Sequence, residues 1–144
     1  MQHADWRVQR VIQRFEQLER ADVARLGEIY ASDASFKDPF NEVRGLQPIQ
    51  RIFEHMFASL VAPRFVIGSA LAQGDEAFLT WEFHLALRRR PRELLCIRGG
   101  THLRFAADGR IAMHRDYWDA AEELYEKLPL LGALMRWLRR RANG

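Results

Sequence analysis

From Pro63 to Trp118 the apolar residues recur at every second position. They fall in four stretches, 64–72, 76–88, 93–105 and 110–118, parted by Gly74-Asp75, by an Arg-Pro-Arg turn around Pro91 and by Asp108-Gly109. A period of two sends successive side chains to opposite faces of a strand, and Gly/Asp pairs close tight hairpins. The spacing predicts four long antiparallel strands in a meander. Before Pro63 the period is different. Trp6, Val8, Val11, Ile12, Phe15 and Leu18 recur every three to four residues, and a second short helix opens near Asp22 and carries Val23, Leu26, Ile29 and Tyr30.

Asp38-Pro39 stops any helix, because the residue before proline is pushed out of the α region. Gly45 supplies a turn, and Pro48 suits the opening turn of a third helix with Ile49, Ile52, Phe53, Met56, Phe57 and Leu60. After about Ala120 the pattern is helical again, broken at Pro129 and resuming to Arg140. The expected class is α+β: a curved antiparallel sheet, three N-terminal helices and a C-terminal helix. Residues 1–120 read as one domain, and 121–144 as a basic amphipathic extension of it.

At 144 residues, 48% of them hydrophobic and 28% charged, the chain is long enough for one core and one internal pocket and too apolar for disorder. A single cysteine excludes a disulfide scaffold. The longest apolar stretch, Leu128 to Met135, is too short to span a membrane, and the first residues have no apolar leader pattern, so a cytoplasmic location is expected. The net charge of +3 hints at polyanions until the arginines are placed. Arg88, Arg89, Arg90 and Arg92 form one knot, Arg136, Arg139, Arg140 and Arg141 another, and the rest of the chain is acidic. Basicity that belongs to a hairpin tip and a tail argues against a nucleic-acid partner.

The strand faces frame the functional question. On the second strand Leu79, Trp81, Phe83, Leu85 and Leu87 oppose Phe78, Thr80, Glu82, His84 and Ala86. On the third, Ile97, Thr101 and Leu103 oppose Cys96, Arg98 and His102; on the fourth, Ile111, Met113, Arg115 and Tyr117 oppose Ala112, His114, Asp116 and Trp118. Glu82, His84, His114 and Asp116 are either the solvated side of a half-exposed sheet or the polar groups of a cavity. Phe78 and Trp118, assigned to the same side, favour the cavity. The apolar face around Trp81 and Phe83 then needs cover from helices or a second copy, so a homodimer is expected.

Tyr30-Ala-Ser-Asp-Ala-Ser-Phe-Lys-Asp-Pro-Phe40, followed by Arg44-Gly45 and an amphipathic helix, resembles the start of the nuclear transport factor two-like superfamily. Leu103 to Ile111 and His114-Arg-Asp-Tyr-Trp-Asp119 resemble its last two strands. The resemblance implies a cone-shaped sheet, as in ketosteroid isomerases, polyketide cyclases and limonene epoxide hydrolases. It puts Asp38 at the isomerases' general base and Trp118 at a pocket tryptophan, with Phe40 beside them. Phe15 and Thr101 stand where the isomerases keep a tyrosine and a protonated aspartate as oxyanion donors, so ordinary steroid isomerisation is not implied. In the hydrolase comparison Asp116 matches one catalytic aspartate, and His84 and Glu82 stand in for the other and its arginine.

The site expected from these readings has Asp38 as proton acceptor with His84 and Asp116 as a paired acid or base and orienter, lined by Phe15, Phe40, Glu82, Thr101, His114 and Trp118. Aspartate before proline also favours a plain turn, and that reading stays open. Neither cofactor nor metal is expected: the chain has no phosphate-cradling glycine loop and no dinucleotide fingerprint, and His84, His114 and Asp116 lack close ligand spacing. His3, His55 and His102 read as surface residues, and Cys96 as a thiol with no evident base. Gly99-Gly100 marks a bulge or a close backbone approach. The tail, with Leu124, Leu128, Leu131, Leu134 and Trp137, covers the pocket mouth, joins a dimer or touches an anionic bilayer. The functional expectation is cofactor-free proton-transfer chemistry of the isomerase, cyclase or hydrolase kind on a small apolar or lipid-like ligand. The alternative is a non-catalytic binding or dimerisation module.

Overall fold

In the computed structural model, residues 2–119 are described, together with Trp137, Arg140 and Arg141. Apart from Trp137, Arg140 and Arg141, the expected C-terminal helix, Leu124 to Met135 included, lies outside the described residues. Helix α1, Trp6–Glu16, starts where the Asp5 carboxylate accepts the Arg7 N–H at 2.9 Å, and buries Val8, Val11, Ile12 and Phe15. A 3-10 segment, Arg20–Glu28, buries Val23 and Leu26. Helix α2, Leu46–Ser59, carries Pro48 in its first turn, where a missing N–H is harmless, and buries Ile49, Phe53 and Met56.

The strands are β1 Tyr30–Lys37, β2 Glu42–Arg44, β3 Leu60–Gln73, β4 Glu76–Leu87, β5 Arg90–Phe105 and β6 Ile111–Tyr117. They form one curved sheet in the order β2-β1-β6-β5-β4-β3. The meander of β3 to β6 is antiparallel, as the period of two predicts. Several features differ from expectation: β1 and β2 add to the four expected strands, and Leu60, expected in the third helix, opens β3, which contains Pro63. Ile29 and Tyr30 leave the helical segment, and Tyr30 opens β1, which runs parallel to β6 and makes the sheet mixed rather than wholly antiparallel. The Ser and Asp residues of β1 hide its alternation, and its burial is irregular. The β4–β5 turn is Arg88-Arg89, with Leu87 paired to Arg90, so Pro91 lies within the strand.

Irregular pairing between Val61 and Arg64 and between Ile67 and Ser69 interrupts the β3–β4 ladder, and such bulges increase bend and twist. The concave side this creates is covered by α1 and α2. Gly109 needs its positive φ of 88° in the β5–β6 turn, where a side chain would also strike the Trp6 ring. Arg7 straps α1 to the β3–β4 turn through Asp75 at 2.8 Å and the Gly74 carbonyl at 2.8 Å. Among the described residues no helix is long and apolar enough to cross a membrane.

Candidate functional site

The covered side of the sheet holds a cavity of about 130 Å³. Its walls are mostly apolar: Phe15 from α1, Phe53 and Met56 from α2, and Leu79, Trp81 and Phe83 from β4 all line it. The apolar face of β4 is therefore filled within the chain itself. That removes the argument that Trp81 and Phe83 require a second copy.

The polar groups of the cavity come from the opposite end of the sheet. Leu79 pairs with Thr101, Thr101 with Asp116, and Leu103 with His114, so the apolar face of β4 and the polar face of β6 are one surface. Asp38, Thr101, His114, Asp116, Phe15 and Trp118 all line the cavity. His84 and Glu82 do not. His84 pairs with Cys96 and Glu82 with Arg98 on the outer face, and Phe78 is also outside, 41% exposed. Asp38 and His84 are thus separated by the sheet, and a catalytic set containing both is not assembled. Phe40 packs against Trp118 at 5.6 Å between ring centroids, beside the cavity rather than in its lining.

A chain of hydrogen bonds holds the Asp116 end. The Trp81 indole N–H can only donate, and it reaches Thr101 Oγ1 at 2.7 Å; the Thr101 hydroxyl then donates to Asp116 Oδ1 at 2.6 Å. His114 Nε2 meets the same Oδ1 at 2.7 Å, and His114 Nδ1 meets the Tyr30 hydroxyl at 2.7 Å. Tyr30 is fully buried, and burial together with the Asp116 charge pushes its hydroxyl well above the usual phenol range. The Tyr30 hydroxyl and the Asp116 carboxylate thus meet the two ring nitrogens of His114. The rings of Phe36, at 4.5 Å, and Tyr30, at 5.9 Å, hold the imidazole in place. Both His114 nitrogens are occupied, so His114 is a positioning residue. Among the described residues every hydrogen bond of Asp116 falls on Oδ1, and Oδ2 is the oxygen the cavity can use.

Asp38 combines the two roles that its sequence context allowed. Its Oδ1 accepts the N–H groups of Phe40 and Asn41 at 2.8 and 2.6 Å, an Asx turn, while its carboxyl lines the cavity. Burial raises its pKa above the ordinary carboxylate value; the hydrogen bonds from Phe40 and Asn41 oppose this, and the charge of Asp116 adds to it.

Gly99 explains how the network reaches its acceptor. A Cβ there would lie 2.6 Å from the Trp81 ring and 2.8 Å from the Tyr117 carbonyl, so only glycine lets the indole lie flat enough to find Thr101. The pair Gly99-Gly100 is thus a close approach rather than a bulge, because the register runs unbroken from Glu76 to Leu85.

Trp81, His55, Trp137 and Arg141 are among the cavity residues that fall outside the expected site. Trp81 was hidden within an apolar alternation. His55, expected at the surface, lines the cavity and contacts Arg141, and burial and the Arg141 charge lower its pKa. Trp137 and Arg141 line the cavity from the tail, and the Trp137 N–H donates to Ser59 Oγ at 2.8 Å. The basic amphipathic pattern of the tail was the signal for these two. Tyr30, outside the lining, was missed because Ile29-Tyr30 continued a helical spacing.

The sequence pattern of the SnoaL-like domain matches residues 8–114. No curated protein matches the chain in sequence. Among solved structures, a Catenulispora acidiphila protein with a ketosteroid isomerase-like fold, in complex with trimethylamine, superposes with a TM-score of 0.71 at 17% identity, over 85% of this chain and 92% of the other. An epoxide hydrolase of the limonene epoxide hydrolase-like kind from M. tuberculosis superposes at 0.68 with 18% identity, over 90% and 92% of the two chains. A Shewanella putrefaciens protein described as a candidate SnoaL-like polyketide cyclase superposes at 0.69 with 18% identity, over 87% and 100%. At these identities the likeness is one of fold.

Proposed function

The chain belongs to the SnoaL-like domain family, and we propose that it is a small-molecule pocket protein performing cofactor-free acid/base chemistry, of the isomerase, cyclase or hydrolase kind, on a small apolar ligand. The observation that carries this reading is that two carboxylates, Asp38 and Asp116, line one mostly apolar cavity. Asp38, with its raised pKa, is the proton acceptor, since a base works best when its pKa approaches the working pH. Asp116 is the partner that exchanges a proton at Oδ2, oriented by His114 and Thr101 through Oδ1. Thr101 supplies no oxyanion donor in this arrangement because its hydrogen is directed to Asp116. That favours a reaction in which a carboxylate itself delivers the proton.

The ligand is small: a cavity near 150 Å³ takes up a molecule of about benzene's size, and this one is of that class. A homodimer and a cytoplasmic setting belong to the same proposal. The test is deuterium exchange at the carbon next to the carbonyl of cyclohexenone, followed by NMR. Saturable exchange that Asp38→Asn and Asp116→Asn each slow about 100-fold is expected. Saturable binding of the ketone with exchange no faster than in buffer would sink the catalytic reading in favour of a non-catalytic binding module.

A further inference from the structure

On the outer face of the sheet, away from the cavity, three side chains of different donor type converge. Glu82 and His84 are two apart on β4, and Cys96 lies directly across from His84 on β5. The Glu82 carboxylate oxygen Oε2 is 3.4 Å from Cys96 Sγ and 3.2 Å from His84 Nε2, and the three donor atoms lie within 4.8 Å of one another. We propose that Glu82, His84 and Cys96 form a zinc site with one open coordination position.

The distances carry the argument. Zinc binds thiolate sulfur at about 2.3 Å and imidazole nitrogen or carboxylate oxygen at about 2.0 Å, and at the tetrahedral angle these lengths separate sulfur from oxygen by about 3.5 Å and nitrogen from oxygen by about 3.3 Å. The two edges that meet at Oε2 are already within a tenth of an ångström or so of those values. The third edge, from Cys96 Sγ to His84 Nε2, spans no more than 4.8 Å between two half-exposed side chains. Without metal, the thiol and imidazole hydrogens hold two edges of the same triangle by donating to Oε2, and the ion would replace those protons.

The donor set is selective. A thiolate with an imidazole and one carboxylate suits zinc, whereas calcium and magnesium want oxygen alone. The two negative ligands balance a divalent ion. Three protein ligands leave a fourth position for water, and the ion ties β4 to β5.

The test uses the chelator-stripped full chain, titrated with zinc by calorimetry and with cobalt(II) by absorption. One ion per chain, a thiolate-to-cobalt charge-transfer band and the spectrum of a four-coordinate ion are expected. Cys96→Ser should remove the band, His84→Ala and Glu82→Gln should each weaken zinc binding about tenfold or more, and Asp38→Asn should bind as the unaltered chain does. Circular dichroism checks that each variant is folded, which the partial exposure of all three sites favours. A six-coordinate cobalt spectrum, or zinc affinity unchanged in folded His84→Ala, overturns the site. Neither result bears on the cavity chemistry.

Discussion

The sheet carries the same two-residue pattern twice, with opposite consequences. On β6, His114 and Asp116 are two apart, with Nε2 and Oδ1 2.7 Å apart and only 5% and 19% of their side chains exposed. On β4, Glu82 and His84 are also two apart, with oxygen and nitrogen 3.2 Å apart and 52% and 33% exposed. The inner pair is locked by Tyr30, Thr101 and three aromatic rings, and burial turns each of its hydrogen bonds into a requirement. The outer pair is partly exposed and, among the described residues, its side-chain hydrogen bonding runs to Cys96, which suits the exchange of a hydrogen bond for an ion. Chemically alike pairs thus take different roles, and the side of the sheet decides which.

Removing the histidine from each pair gives the largest contrast. His114→Ala strands a buried phenol and part of a buried carboxylate, so a loss of about 3 kcal/mol or more is expected by urea denaturation. In metal-free protein, His84→Ala should cost between about 0 and 1 kcal/mol, as exposed pairs do. Equal losses would erase the distinction. A middle-sized effect should follow from Gly99→Ala, which forces Trp81 off Thr101; overpacking of this kind costs about 1–3 kcal/mol. It should also change Trp81 fluorescence, whereas adding a methyl at an open outer position should not.

The smallest effect separates a raised carboxyl from an ordinary one. Asp38 in the folded chain holds its proton more tightly than in the unfolded chain, so its contribution to stability is present at low pH and is lost as pH rises from the unfolded value through the raised folded one. Asp38→Asn has no such loss. Its stability relative to the unaltered chain should therefore improve between about pH 4 and neutrality, which paired thermal melts across that range will read. A flat difference would mean that burial does not act on Asp38 as described.

Much of this was legible before folding. The alternation in β4 and β5 separates the two faces of each strand, the Asp-Gly turn bounds β6, and the Asp38 and Asp116 motifs pointed at residues that line the cavity; on β6 a register shift turns Ile111 to the covered side with Phe105, and Pro63 falls inside β3 rather than before it. What misled was the matching of faces between strands. Glu82 and His84 look like natural companions for His114 and Asp116 because all four are polar, yet backbone register makes Thr101, not Cys96, the neighbour of Asp116. Tyr30 and His55 were misplaced for a related reason: one begins a parallel strand whose partner is some eighty residues away, and the other, half-buried, lines the cavity and meets a residue of the distant tail.

The sequence by itself determined the α+β class, the hairpins and the two-faced strands, since these follow from periods and turn residues within a few positions of one another. Only the tertiary structure decided which faces coincide, which of two histidine–carboxylate pairs is buried and which groups converge on the cavity. Those depend on pairings between distant segments, and a period of two is equally satisfied whichever side of the sheet the helices cover.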